Sequence, residues 1–160
     1  MTVLDSLGFW LDNARYYVTL FPDDFRVPDE DGLIDWFETL LARPRDELEL
    51  HLVAVTGGTV AAFAYARLIE PDEPANRQML ADHPYPRVHV EALGTGDDFQ
   101  RRELATRLVE AVEAWAREHG ARAISTETYL DSPVSIPFWE QRMGNRRRSV
   151  KLTKRLDLEA

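Results

Sequence analysis

The segment of residues 88–115 constrains the fold of this chain more than any other part of the sequence. Residues 88–93 alternate in the manner of a strand, residues 94–99 make a polar turn with two glycines, and Gln100 opens a helical pattern. The predicted helix carries an apolar stripe that consists of Leu104, Leu108, Val112 and Trp115. A strand that enters a helix through a tight turn directs the unpaired N–H groups of the first helical turn towards the space above the strand end. With Arg101 and Arg102 beside them, these groups predict an anion site, most typically for phosphate.

The other segments predict a sheet with helices on its faces. Apolar side chains recur at helical spacing in residues 4–17 and 31–41, where Asp31 is a candidate cap for the second helix. Residues 50–56 and 60–69 have strand patterns, and Gly57-Gly58 between them is typical of a hairpin turn. A further helix is expected at 136–143, and further strands at 122–129 and 149–156. A hairpin followed by a strand–helix–strand unit indicates an α/β (α+β) fold with a mixed, largely antiparallel central sheet flanked by helices.

The composition excludes several classes of protein. With 160 residues, of which 44% are hydrophobic, the chain is expected to form a single domain, 1–160, with a buried core. The absence of cysteine excludes a disulfide scaffold and a thiol nucleophile, and the four histidines are too scattered to suggest a metal site. We therefore expect that the protein binds no metal.

The charge and the hydropathy of the chain limit its partners. A net charge of −9 disfavours nucleic acid, because an acidic surface repels the phosphate backbone. No apolar run approaches the ~20 residues that a helix needs to cross a membrane, and the N-terminus lacks a signal-peptide pattern. A cytoplasmic location without nucleic-acid or membrane partners is the simplest expectation.

Three motifs, in this order, make the chain resemble the GNAT (N-acetyltransferase) superfamily. The sequence Gln100-Arg101-Arg102-Glu103-Leu104-Ala105 is similar to the family's Gln/Arg-x-x-Gly-x-Gly/Ala, and the long helix that follows runs to Gly120. The sequence Ser135-Ile136-Pro137-Phe138-Trp139-Glu140, followed by Met143-Gly144, is similar to the family's Ala-x-Pro-Phe-Tyr-Glu helix ending in Leu-Gly-Phe. The resemblance implies the GNAT acyl-CoA N-acyltransferase fold, with 1–49 as a helical acceptor-side segment and 50–156 as the sheet and cofactor-binding core.

The resemblance also implies a function and a cofactor. It implies an acetyl-CoA-dependent N-acetyltransferase that moves an acetyl group directly to a primary amine of a small molecule or of a protein or peptide. In the family, N–H groups of the turn bind the pyrophosphate, and the pantetheine arm lies between two splayed strands. The cofactor-binding residues implied here are Ala92, Leu93, Gln100, Arg101, Arg102, Glu103, Leu104, Ala105, Thr106, Ser132, Phe138 and Trp139. The acidic first half of the chain favours a cationic acceptor, and a homodimer is left open.

The candidate catalytic residues are Glu91, Glu127 and Tyr129. Direct transfer needs a deprotonated amine and a proton for the departing thiolate. Alternation places His89, Glu91 and Leu93 on one face of their strand, so Glu91 is the first candidate for the base, with a structural hydrogen-bond acceptor as the alternative. Glu127 on the next strand is the second candidate for the base. Tyr129, or water, is the candidate proton donor to the thiolate.

The sequence departs from the family pattern at three positions. Glu103 stands in place of glycine, and a carboxylate ~4 Å from a phosphate costs on the order of 4 kcal/mol at an effective dielectric of 20. The neighbouring arginines offset this cost, or Glu103 turns outward. Trp139 stands in place of the tyrosine that protonates the thiolate, and Asn145 in place of phenylalanine. Glu103 and Trp139 favour the alternative of a catalytically impaired GNAT-fold module that binds coenzyme A or another ligand.

Overall fold

A computed structural model of the chain describes residues 3–44, 46–71, 77–100 and 102–154. The chain divides into two compact units, Met1–Glu127 and Thr128–Ala160. The first unit contains α1 (Val3–Leu20), α2 (Glu30–Ala42), β1 (Glu49–Thr56), β2 (Thr59–Ile69), β3 (Arg87–Thr95), a 3-10 turn (Asp97–Phe99), α3 (Leu104–Glu118) and β4 (Ile124–Thr126). The second unit contains α4 (Ser135–Pro137), which continues as a π-helix (Phe138–Arg142).

The strands of the first unit form one mixed sheet. They lie in the order β1-β2-β3-β4, and the first three are antiparallel to their neighbours whereas β3 and β4 are parallel. This confirms the predicted mixed, largely antiparallel sheet. The predicted hairpin joins β1 to β2, and Gly57 and Gly58 have φ angles of 59° and 84°, which glycine adopts without the steric cost of a side chain.

A β-bulge interrupts the pairing of β2 with β3. Tyr65 pairs with Ala92 and Ala66 pairs with Val90, so Glu91 is an extra residue on β3. The extra residue reverses the alternation after it, and Leu93 therefore pairs with the buried Ala64. The prediction that Leu93 shares a face with Glu91 is wrong, because strict alternation holds only where the two strands stay in register.

The two N-terminal helices pack on each other. Their buried core consists of Leu7, Leu11, Leu33 and Phe37, with Trp10 and Ile34 packed against it. α2 is capped by Asp29, whose side chain accepts a 3.4 Å hydrogen bond from the Asp31 amide, so the cap lies two residues before the predicted one. Phe9 of α1 contacts Phe63 of β2 edge to face at 5.0 Å between ring centroids, which anchors this helix pair to the sheet.

α3 packs against β1, β2 and β3 and buries Leu108, Val109, Val112 and Ala116. It begins at Leu104 and not at Gln100, because Glu103 has a left-handed conformation that a helix cannot include. In the described part of the chain no helix is long and apolar enough to cross a membrane.

Two predicted strands differ from the structure. Over residues 122–129 only Ile124–Thr126 forms a strand, and residues 149–154 form none. Residues 149–154 are exposed throughout, including Val150 and Leu152. An alternating pattern indicates that a segment suits a sheet surface, but the pattern alone does not supply a neighbouring strand.

Candidate active site

Strands β3 and β4 separate near the middle of β3. Among the described residues, three pairs, or rungs, join them: Val88 with Ile124, His89 with Ser125, and Val90 with Thr126. The Thr126 hydroxyl donates to the Val90 carbonyl at 3.2 Å, which reinforces the last rung. β4 then ends, whereas β3 continues to Thr95. In the described part of the chain, one edge of β3 beyond the last rung therefore has no strand beside it, and its backbone can pair with an extended ligand.

Glu91 lies at the mouth of this gap, one residue beyond the last rung. Its side chain is 35% exposed, and its Oε1 atom lies 3.6 Å from Nη1 of Arg67 on β2. His89, two residues earlier, is engaged with Ser125 at 3.0 Å between Nδ1 and Oγ. The predicted base is therefore placed beside the gap by a bulge on β3 and by an arginine on β2, and its catalytic role stays a prediction.

The two predicted pantetheine contacts, Ala92 and Leu93, follow Glu91 along the open edge. Both are half-buried, and they pair with Tyr65 and Ala64 on the opposite side of β3. Their backbone groups lie in the part of β3 that no longer pairs with β4. This position suits main-chain pairing with an extended ligand arm.

A polar network joining β1 to β2 was not predicted from the sequence. The Tyr65 hydroxyl donates to Oε1 of Glu49 at 2.9 Å, and His51 Nε2 lies 3.5 Å from Oε2 of the same carboxylate. The His51 ring stacks on the Tyr65 ring with 4.4 Å between centroids. Burial, and then the Glu49 carboxylate, raise the pKa of Tyr65 to about 12, so the phenol stays protonated at neutral pH. The available signal was the alternation of Phe63, Tyr65 and Arg67 with alanines along β2.

The other two catalytic candidates lie in different units of the chain. Glu127 directly follows the last residue of β4, so it comes one position after the last rung, as Glu91 does, and it is exposed. Tyr129 belongs to the second unit, where it is 39% exposed and its carbonyl accepts a 3.1 Å hydrogen bond from the Ser132 amide. The roles of both residues stay predictions.

The turn between β3 and α3 is fixed by hydrogen bonds. The Gly96 amide donates to the Ala61 carbonyl of β2 at 3.0 Å. The Gln100 side-chain amide donates to Oδ1 of Asp97 at 2.8 Å, so this predicted cofactor contact is bonded within the turn. Arg101, another predicted contact, lies outside the described residues.

Glu103 adopts the backbone conformation of a glycine. Its φ and ψ angles are 60° and 12°, and among the described residues it is the only non-glycine with a positive φ. Left-handed geometry costs a residue with a side chain roughly 1–2 kcal/mol. The chain thus has a glycine-like backbone conformation at the position where the family motif has glycine, and the added carboxylate is exposed.

The start of α3 offers donors for an anion. The first backbone hydrogen bond into the helix runs from the Arg107 amide to the Glu103 carbonyl at 3.0 Å, so the amides of Leu104 and Ala105 have no acceptor within the helix. Both residues are half-buried, as is Thr106 after them. Amides at a helix start fit a pyrophosphate group, and these residues would hold it when coenzyme A is bound.

Arg102 adds a positive charge at this helix start. Its side chain is exposed, and its guanidinium carbon lies 5.3 Å from the centroid of the Phe99 ring in the preceding 3-10 turn. A guanidinium over an aromatic ring keeps its charge and its donors for an anion. Arg102 can therefore offset the carboxylate of the neighbouring Glu103.

The second unit carries the remaining predicted contacts. Ser132 is buried, and its hydroxyl accepts a 3.1 Å hydrogen bond from the Ser135 amide. Trp139 is also buried, and its ring meets that of Phe138 edge to face at 5.1 Å. The predicted helix end at Gly144 is confirmed by its φ of 76°. The ligand contacts of Ser132, Phe138 and Trp139 stay predictions.

The candidate metal ligands among the described residues are dispersed. Within the described ranges, no three His, Asp or Glu side chains lie close enough together to hold a metal ion. On the face of the sheet that carries Glu91, Tyr65 contacts Glu49 and Arg67 contacts Glu91. The groups available to a ligand are the carboxylate of Glu91 and the backbone amides at the start of α3.

Comparison with known proteins agrees with the sequence motifs. A model of the acetyltransferase (GNAT) family matches residues 10–144. None of the curated proteins matches the chain in sequence. The match to the family model confirms the predicted resemblance, and acetyl-coenzyme A is the acyl donor of that family.

Several solved structures share the fold. A mutant of the BH1408 protein from Bacillus halodurans superposes with a TM-score of 0.77 and 18% identity, covering 98% of this chain and 96% of that one. The aminoglycoside N-acetyltransferase AAC(6')-Iy, in complex with coenzyme A, gives a TM-score of 0.62 and 18% identity, with 98% and 89% covered. The aminoglycoside 6'-N-acetyltransferase AAC(6')-IG from Acinetobacter haemolyticus gives 0.61 and 21% identity, with 95% and 94% covered.

Proposed function

The chain belongs to the acetyltransferase (GNAT) family, and on this premise we propose that it transfers an acetyl group from acetyl-coenzyme A directly to a primary amine of a small molecule or peptide. The gap between β3 and β4 carries this proposal. Glu91 lies at its mouth, Ala92 and Leu93 lie along its open edge, and the turn from β3 leads to the start of α3. An extended thioester can occupy such a gap with its phosphates at the helix start and its acyl group near the carboxylate.

Different residues bind the pyrophosphate and the pantetheine arm of the coenzyme. The amides of Leu104 and Ala105, together with the Arg102 guanidinium, hold the pyrophosphate. The backbone of Ala92 and Leu93 pairs with the pantetheine arm. The bound coenzyme supplies an acetyl thioester, which an amine can attack without a covalent enzyme intermediate.

Glu91 takes the proton of the amine. Glu91 accepts one proton from the ammonium form of the acceptor, which frees the nitrogen lone pair, and passes that proton to solvent. As the nitrogen then bonds to the acyl carbon and the carbon–sulfur bond breaks, a second proton leaves the nitrogen for the Glu91 carboxylate and one proton reaches the departing sulfur. Tyr65 is a poor source for the proton that reaches the sulfur, because with its pKa raised to about 12 the transfer to a thiolate is strongly uphill. Tyr129 or water is the remaining candidate donor.

The acceptor is proposed to be a cationic amine. Glu91 places a carboxylate beside the gap, and Glu49 on β1 adds a second carboxylate to the same face of the sheet, with Arg67 as the cation that contacts Glu91. Two of the solved relatives are aminoglycoside acetyltransferases, whose substrates carry several amines, so aminoglycosides belong in the acceptor panel.

A second candidate is a module that binds coenzyme A without transferring the acetyl group. Trp139 favours it, because an indole stands in place of the family's tyrosine and cannot release a proton near neutral pH. Trp139 is also buried, as a packing residue would be.

Two measurements distinguish the transferase from the binding module. Thermal unfolding with coenzyme A at ~100 times its Kd should show ~2.7 kcal/mol of added stability in both cases. Release of free thiol from acetyl-coenzyme A, measured with an aminoglycoside, a polyamine and a lysine peptide, should occur only for the transferase. Stabilisation without thiol release supports the binding module, and no stabilisation at millimolar ligand contradicts both.

A further inference from the structure

The pairing of β2 with β3 does not fix the position of Glu91. As the extra residue of the bulge, Glu91 has no directly opposite residue in the backbone register of β2, because Tyr65 pairs with Ala92 and Ala66 with Val90. A bulge disrupts the ladder locally and re-aims the side chain it carries. The direction of the Glu91 carboxylate must therefore be fixed by side-chain contacts and not by the register of the sheet.

Arg67 supplies such a contact from a regular part of the sheet. It pairs with Glu49 on β1 and with His89 on β3, so its backbone is held from both sides. Its Nη1 atom lies 3.6 Å from Oε1 of Glu91. That distance is too long for a hydrogen bond, so the guanidinium attracts the carboxylate and leaves its oxygen lone pairs available to a proton.

A contribution to folding stability does not explain the ion pair between Arg67 and Glu91. The Arg67 side chain is 54% exposed and that of Glu91 is 35% exposed, and ion pairs at such sites contribute little to folding. A carboxylate that must receive a proton from a substrate does depend on its position, because small displacements of a catalytic group slow a reaction strongly.

We propose that Arg67 is a positioning residue for transfer, which holds the Glu91 carboxylate at the mouth of the gap where the amine loses its proton. This inference rests on the proposed function and adds to it a residue that touches neither the thioester nor the amine. Arg67 acts on the rate of the chemical step through Glu91, and coenzyme A binding does not depend on it.

The test compares Arg67→Ala and Arg67→Lys with a matched control, Arg117→Ala. Arg117 forms an exposed 2.6 Å ion pair with Glu113 on α3, so its removal also breaks an arginine–glutamate pair. With acetyl-coenzyme A and the best acceptor of the panel, Arg67→Ala should lower kcat by about tenfold or more, and Arg67→Lys should retain most of the rate. Arg117→Ala should match the wild type, and all three should bind coenzyme A equally in calorimetry.

A double variant distinguishes positioning from a general structural effect. In a Glu91→Gln background, Arg67→Ala should cause no further loss of kcat, because the carboxylate that it positions is gone. An equal loss in both backgrounds, or a kcat for Arg67→Ala within twofold of the wild type, overturns the inference and leaves the proposed function standing. If Glu91→Gln itself keeps full activity, the proposed base fails, and the positioning role fails with it.

A crystal structure of Arg67→Ala gives a readout that needs no acceptor. The Glu91 carboxylate should move from its wild-type position or occupy more than one rotamer. A Glu91 side chain that stays in place without Arg67 contradicts the inference directly.

Discussion

Tyr65 and Glu49 are diagonal neighbours on adjacent strands, and the Tyr65 hydroxyl donates to the Glu49 carboxylate at 2.9 Å. Nε2 of His51 lies 3.5 Å from Oε2 of the same carboxylate, and the His51 ring stacks on one face of the Tyr65 ring. The phenol is therefore held as a neutral hydrogen-bond donor on the face of the sheet that carries Glu91.

This bond predicts a pH dependence of stability. Because folding raises the pKa of Tyr65 from its ordinary value of 10.0 to about 12, the folded state holds this proton more tightly than the unfolded state. The resulting stability is fully present below pH ~10 and is lost as the pH rises towards ~12. The difference in unfolding free energy between the wild type and Tyr65→Phe should thus be constant from pH 7 to ~10 and shrink above it.

Phenolate absorbance provides the direct check on Tyr65. In an alkaline titration, Tyr65→Phe should lack the component of the wild-type curve with a midpoint near 12. If the missing component has its midpoint near 10, Tyr65 is not held in the way that the structure shows.

Glu103→Gly should stabilise the protein. The left-handed φ of 60° costs glutamate more than glycine, so removal of the side chain should add about 1 kcal/mol to the free energy of unfolding. Urea denaturation measures the change. The matched control is Glu110→Gly in the exposed middle of α3, which should lose about 1 kcal/mol because glycine is a poor helix former. A loss of similar size at both positions would contradict the conformation of Glu103.

Gly94→Ala should destabilise the first unit. A Cβ atom at this position would lie 2.6 Å from Cε1 of Phe9 and 2.9 Å from Cε1 of Phe63. These two rings pack edge to face against each other. We expect a loss of about 1–3 kcal/mol in thermal unfolding, which is typical of overpacking. Gly32→Ala is the control, because a Cβ there meets nothing within 4 Å and α2 should gain up to about 1 kcal/mol. Equal effects of the two substitutions would show that Phe9 does not pack against this strand.

Local patterns predicted much of the fold. The hairpin at Gly57-Gly58 and the apolar stripe of α3 were both evident from spacing, because turn geometry and helical burial impose short-range rules. The start of α3 was placed four residues early, because Gln100 fits a helical pattern and a glutamate does not by itself indicate the left-handed conformation of Glu103.

Long-range pairing explains what the sequence did not predict. The bulge at Glu91 depends on the register between β2 and β3, and the pair of Arg67 with Glu91 follows from that register. Tyr65 and Glu49 are 16 residues apart and meet only because β1 and β2 pair antiparallel. Alternation could have placed Tyr65 and Arg67 on one face, but it could not have named their partners.

The rate of acetyl transfer by Glu91→Gln tests the central claim most directly. Glutamine keeps the size of the side chain and cannot accept the amine proton, so kcat should fall by about 100-fold or more while the Kd for coenzyme A stays the same. Acetylated amine would be quantified by mass spectrometry with the wild type, Glu91→Gln and Glu127→Gln under identical conditions. The account predicts abundant product from the wild type and from Glu127→Gln, and little from Glu91→Gln. Equal product from the wild type and Glu91→Gln, or no product from the wild type with any acceptor, would contradict it.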